Sequence, residues 1–282
     1  MIVEQRLRWF DQVFHDIYER ADIISFGSEG CPGGLPDRDS YDAITELLDR
    51  YHILPKLVTP RVSQYELPKV LQLLEHICMK NIPLEIVVND WGILFYCLKK
   101  RDIFKIHLGR QLCRSLVDSP WADYIRRKEK DEVREWMKGH PYDDSVKLDL
   151  LKEWGIKGLE LNSWDGLAAS IENLLAAGLT IALEPESYLL TVGRVCLAKR
   201  ICREQPCSGL CGLAFAIEPE KKWLGPLKNQ VDLEEIEQKA LRGMMVTGNR
   251  VLMEHKAKLP LDVHRDKVVV IISDPKSLDH IV

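Results

Sequence analysis

The stretch LEIVVNDWGILFYCLKKRDIFKIHL, Leu84 to Leu108, decides the fold. Leu84 to Val88 and Phe104 to Leu108 are short runs rich in β-branched and aromatic residues, the composition of strands. Between them, Trp91 to Lys100 has the length and apolar spacing of a helix. Strand, helix and strand in close succession make the crossover unit of a parallel sheet.

The same unit recurs in both directions. Strands are expected at Ala21 to Phe26, Pro55 to Val58, Lys157 to Leu161, Leu179 to Leu183 and Lys267 to Ile272. Helices are expected at Glu66 to Lys80, Ser145 to Trp154 and Asp165 to Ala177. Another follows the glycine-rich loop GSEGCPGG (Gly27 to Gly34), capped by Asp39 or Ser40 and carrying Ile44, Leu47 and Leu48. At the start, Leu7, Phe10, Val13, Phe14 and Ile17 share one face of a helix predicted over Val3 to Arg20. The strand runs read as almost wholly apolar, as they do when helices cover a parallel sheet.

The fold class is therefore α/β, a TIM-barrel-like architecture, which typically takes about 250 residues. Because the chain opens on a predicted helix, the count reaches only about seven strands. The expectation is a barrel that lacks its first strand, or one completed by Arg250 to Glu254. Residues 1–282 are read as one such domain, with a cysteine-rich segment at 186–228 inside it.

Composition narrows the function. The chain is 46% hydrophobic and 29% charged, enough to bury a core. With 39 basic and 43 acidic side chains the net charge is −4, which offers no long-range field for nucleic acid or acidic lipid. The longest stretch free of Asp, Glu, Lys and Arg is Gln205 to Ile217, thirteen residues, too short to span a bilayer. MIVEQRLRWF lacks the apolar centre of a signal peptide, so a cytoplasmic location is expected. The charge-rich Trp121 to Lys138 reads as a solvated helix with ion pairs between turns. Contact with RNA through Arg126, Arg127 and Lys130 is the sharper alternative.

Barrel enzymes carry their reactive groups just beyond the C-terminal ends of the strands. Those positions hold Ser28, Glu29 and Cys31, then Asn89 and Asp90, then Arg110 and Cys113. Glu160 and Asn162 close the next strand, and Glu184 and Glu186 the one after. The candidate catalytic set is Arg110, Asn89, Asp90, Glu160 and Glu184, with Arg110 suited to pairing the carboxylate of a small organic acid. Polar residues also end strands simply because loops meet water.

Cysteine placement is more specific. Four of the eight cysteines, Cys196, Cys202, Cys207 and Cys211, fall within sixteen positions. Thiolates are soft ligands that suit zinc or iron–sulfur clusters. Only Cys207 and Cys211 show the paired spacing of a structural zinc site. Cys31, after a neighbouring strand end, and Cys202 are the two candidates to complete a set of four. Cys78 and Cys97 lie in helices and read as small buried hydrophobes.

GSEGC (Gly27 to Cys31), EIVVNDWGIL (Glu85 to Leu94) and GRVCLAKRICREQPCSGLC (Gly193 to Cys211) together resemble the collagenase-like peptidase family U-thirty-two (U32). The similarity runs from about residue 20 to 215. The resemblance implies a TIM-barrel-like core and a 4Fe–4S cluster on Cys31, Cys196, Cys207 and Cys211, with Cys202 a bystander. It also implies a part in hydroxylation without dioxygen, of the ubiquinone-biosynthesis type, where two paralogous chains pair as a heterodimer. Two alternatives stand beside this reading. One is a non-catalytic iron–sulfur subunit that docks on a paralogue, covering the side left open by the missing strand. The other is a metal-dependent peptidase or another hydrolase, for which neither HExxH nor GxSxG is present.

Overall fold

The computed structural model describes residues 2–7, 21–115, 127–163, 167–185, 187–193, 196–197, 200, 214–216, 244–254 and 267–273. Seven strands, each followed by loop or helix, come first: β1 (Ile2–Arg6), β2 (Ile23–Gly27), β3 (Leu54–Val58), β4 (Leu84–Val88), β5 (Phe104–Leu108), β6 (Gly158–Asn162) and β7 (Thr180–Glu184). A second group, β8 (Ser187–Val192), β9 (Ala214–Ala216), β10 (Met244–Thr247) and β11 (Arg250–Glu254), intervenes before β12 (Val268–Ile272). Described helices are α1 (Arg38–Arg50), α2 (Leu67–Lys80), α3 (Trp91–Leu98), α4 (Asp131–Lys138), α5 (Ser145–Glu153) and α6 (Leu167–Ala176).

Eight parallel strands close into a barrel in the order β1–β12–β7–β6–β5–β4–β3–β2. The barrel is complete, which corrects the expectation of a missing first strand. Ile2–Arg6, predicted as the start of a helix, is a strand whose Glu4 stands opposite Ile23 on one side and Ile271 on the other. The rest of that predicted helix, residues 8–20, lies outside the described residues. Arg250–Glu254 does not complete the barrel either. It pairs antiparallel with β8 and β10 in a separate four-stranded sheet ordered β8–β11–β10–β9.

A second correction concerns the strand faces. They alternate, with the apolar residues turned outward under the helices. Val3, Ile24, Phe26, Leu57, Ile86, Val88, Ile106, Leu108, Leu159, Leu161 and Val270 form one core with Ile44, Leu48, Leu74, Ile77, Ile93 and Leu174 of the helices. Inside the barrel the apolar share is small, a cluster of Ile23, Ala182, Val269 and Ile271. Val58 and Val87 share that inward face, and the polar interior residues are Glu4, Arg6, Ser25, Lys56, His107 and Glu160, all buried.

Local signals explain the helix boundaries. Asp37, rather than Asp39 or Ser40, caps α1, its carboxylate accepting from the Ser40 amide at 2.8 Å. Asp144 caps α5 through the Val146 and Lys147 amides. Asn81 ends α2 in the left-handed region at φ 54°, a conformation asparagine tolerates well. Among the described residues no helix is long and apolar enough to cross a membrane.

Candidate functional site

The site begins inside the barrel. Period-two alternation along IVEQR sends Glu4 and Arg6 inward, where Lys56 of β3 and Glu160 of β6 meet them. Lys56 Nζ donates to Glu4 Oε2 at 2.6 Å, and Arg6 Nη2 donates to Glu4 Oε1 at 2.9 Å. Arg6 also grips Glu160 with two parallel hydrogen bonds, the Nη1–Oε2 contact being 3.1 Å, and reaches Ser25 Oγ at 3.3 Å. Such charges are tolerated in an interior only when paired. Burial pushes the Glu4 carboxyl up, but Lys56 and Arg6 outweigh it and hold the group at about 2. Glu160 is raised above its ordinary value because its burial and the nearby Glu4 charge outweigh Arg6.

His107 of β5 completes this interior. Burial and the Lys56 charge lower its pKa to about 3, so the ring is neutral. Glu85 Oε2 lies 3.5 Å from its Nε2, and the ring is accommodated by Gly158 on the adjacent strand. A Cβ there would fall 2.5 Å from His107 Nδ1 and 2.6 Å from the Thr180 carbonyl.

Above this layer, at the C-terminal mouth, Arg110 is the centre of a second network and is only 2% exposed. Its Nε and Nη2 donate to Glu29 at 3.2 and 2.7 Å, and Nη2 also pairs with Glu184 Oε2 at 2.7 Å. Its Nη1 donates to the Ser187 carbonyl at 3.1 Å and reaches Asn162 Oδ1 at 3.4 Å. All five N–H groups of the guanidinium are thus engaged within the protein. Glu29, opposed by its burial but favoured by Arg110 and Arg250, is held at about 2. Ser187 Oγ donates to Glu184 Oε1 at 2.6 Å, so neither mouth carboxylate is left bare.

The predicted site residues divide by role. Arg110 and Glu184 meet at the mouth, whereas Glu160 lies in the interior on Arg6. Asn89 fastens loops: its Nδ2 donates to the Thr59 carbonyl at 3.0 Å and its Oδ1 accepts from the Gln111 amide at 3.2 Å. Gly109 leaves it room, since a Cβ there would sit 2.3 Å from Asn89 Oδ1. Asp90 caps α3 through the Gly92 and Ile93 amides and accepts from Val62 N at 3.4 Å. Asn162 acts as a strand surrogate, pairing with both backbone groups of Leu189 and docking the antiparallel sheet onto the barrel. Arg114 adds a bond to the Leu189 carbonyl at 2.9 Å.

The residues that the sequence reading passed over are Glu4, Arg6, Lys56, Asn249 and Arg250. The signal for the first three was present, as charges at alternate positions of IVEQR and a lone lysine within LPKLV. For Asn249 and Arg250 the only local hint was the turn sequence TGN in Thr247-Gly248-Asn249.

A cavity of about 160 Å³ opens between barrel mouth and antiparallel sheet. Arg6 and Leu7, Glu29 and Cys31, Glu184 and Ser187, and the β10–β11 turn line it. Cys31 follows β2, where Gly27 turns the chain at φ 103° and Ser28 Oγ accepts from the Gly30 and Cys31 amides at 3.2 and 3.1 Å. Asn249 Nδ2 donates to the carbonyls of Gly30 and Gly193, the latter at 2.9 Å. Cys196 lies three residues past Gly193, so the segments carrying Cys31 and Cys196 meet at one side chain. Cys202, Cys207 and Cys211 lie outside the described residues, as do Arg126 and Glu186. Among the described residues no three His, Cys, Asp or Glu side chains converge as a metal-binding group.

No family model matches the chain, and no curated protein matches it. A solved structure of a U32 peptidase, Mk0906, is similar to it at 10% sequence identity with a TM-score of 0.45, covering 97% of this chain and 94% of that one.

Proposed function

We propose that the chain is an iron–sulfur protein of the U32 type, holding a 4Fe–4S cluster on Cys31, Cys196, Cys207 and Cys211 beside the barrel mouth. In this reading it serves in an oxygen-independent hydroxylation system. The observation that carries the proposal is the joining of the Cys31 and Cys196 segments by Asn249. Cys31 lines the charged cavity, the segment leading to Cys196 is tied to the same loop, and a set of soft thiol donors fits an iron–sulfur group. A bound cluster supplies one-electron chemistry, and four cysteine ligands leave no iron open to substrate.

The chain's own residues would bind and orient the organic molecule. Arg110, with every N–H engaged, fixes Glu29 and Glu184 in place. Among the described residues Arg250 makes one ion pair, to Glu29 at 3.1 Å, and it lines the cavity. Arg250 thus keeps N–H groups for an anion, so the carboxylate of a small organic acid is assigned to Arg250 in place of Arg110. Pairing with a paralogous chain stays part of the proposal, although β1 fills the wall that a partner was expected to cover.

Anaerobic purification of wild type and Cys31→Ala, with iron and sulfide analysis and an absorption spectrum, tests the reading. Near-equal iron and sulfide in wild type, with broad visible absorption sharply reduced in the variant, is the expected result. Zinc in place of iron, or iron indifferent to Cys31, overturns it.

A further inference from the structure

We infer that Asn249 is a positioning residue for the Cys31–Cys196 thiol pair, and that the turn between β10 and β11 is a clasp holding the two cysteine segments side by side. The purpose of the clasp rests on the thiolate reading above; its geometry does not.

Three features of the turn converge on one loop. The Asn249 side chain has two N–H groups, and they reach the carbonyl of Gly30 and that of Gly193 at 2.9 Å. The backbone closes the second contact, Gly193 N donating to the Asn249 carbonyl at 2.7 Å. Next along the turn, Arg250 pairs with Glu29 at 3.1 Å, and Glu29 is itself held by Arg110. Finally, Gly30 makes way for the turn: a Cβ there would lie 2.4 Å from Asn249 Oδ1 and 2.8 Å from Arg250 Cγ.

The turn is built for this approach. Thr247 pairs with Arg250, leaving Gly248 and Asn249 as a two-residue hairpin loop with Gly248 at φ 62°. Asn249 is 219 positions from Gly30 and 56 from Gly193, so nothing local in the chain brings the segments together. Cys31 directly follows Gly30. Cys196 is three positions past Gly193, a reach of at most about 11 Å. One side-chain amide therefore ties the loop that leads into Cys31 to the segment that leads to Cys196.

The test uses the intact, metal-free, reduced chain treated with a short bifunctional thiol reagent, the bridged peptides being mapped by mass spectrometry. A Cys31–Cys196 bridge is expected in wild type. Asn249→Asp keeps the side-chain shape but sets oxygen against two carbonyls, and should lower bridging about tenfold. Gly30→Ala, which pushes on the same contact from the other side, should lower it similarly. Val246→Ala, a buried change in β10 away from the clasp, should lower the melting temperature and leave the bridge intact. Equal bridging in wild type and Asn249→Asp, or no bridge in wild type, overturns the inference. Iron content of anaerobically prepared wild type is measured in parallel. A bridge without iron keeps the clasp and removes the cluster, whereas iron with bridging indifferent to Asn249 does the reverse.

Discussion

Buried charge dominates at the residue scale. Arg6 touches Glu4, Glu160 and Ser25 at once, so Arg6→Met leaves two buried carboxylates short of a partner. The expected cost is roughly 3–5 kcal/mol in urea unfolding; a loss below about 1 kcal/mol would mean that the interior pairs contribute nothing net. The same groups fix the response to pH. Glu4 and Glu29 are held at about 2 against an ordinary 4.5, and His107 at about 3 against 6.5. The unfolded chain takes up protons at all three sites before the folded one does. Stability therefore declines as pH falls from 6.5 towards 3, first through His107 and then through the two carboxylates. Glu160, raised by burial, acts in the opposite sense and softens the decline. Urea midpoints at neutral pH and at pH values between His107's folded and ordinary values check the sign. A higher midpoint at the acid end would contradict it.

Capping and closure are matters of the element. Asp90 stands where a catalytic carboxylate would, yet its oxygens are engaged by the start of α3 and by Val62. Asp90→Ala should cost about 1 kcal/mol, with Asp90→Ser recovering most of it. Activity lost in Asp90→Ser at full stability would return Asp90 to the chemistry. The first strand is the element the sequence concealed most. Its inward residues are charged, so IVEQRLRWF offers Leu7 and Phe10 at helical spacing and no continuous apolar run. What makes it a strand is tertiary: Lys56 and Glu160 wait inside the barrel, and β12 and β2 offer free edges. In native-state hydrogen exchange the amides of Val3 to Arg6 should be protected as strongly as those of β12. Exchange at loop rates would contradict closure.

Viewed as a whole, the molecule has an apolar shell and a charged interior, the arrangement that the sequence disclosed least. The crossover units from Ile23 to Glu184 were legible because helix and strand periods are local properties. The antiparallel sheet was not, because β8 pairs with β11 across a long gap in sequence and the pairing leaves no periodic trace. Strand-end position did find Arg110 and Glu184 at the mouth, and it also returned Asn89 and Asp90, which tie loops and cap a helix. Position says where a side chain emerges, while function depends on which of its hydrogen-bonding groups its neighbours have already taken. Asn249 and Arg250 escaped notice because their partners, Gly30, Gly193 and Glu29, are distant in sequence.

The central claim is that Cys31 and the late cysteines form one thiolate site beside the mouth. Iron content across single Cys→Ser variants, prepared anaerobically, tests it most directly. The account predicts loss of iron in the variants of Cys31, Cys196, Cys207 and Cys211, and retention in those of Cys202, Cys78 and Cys97. Iron that survives Cys31→Ser but not Cys202→Ser would contradict it, moving the site away from the loop that Asn249 holds.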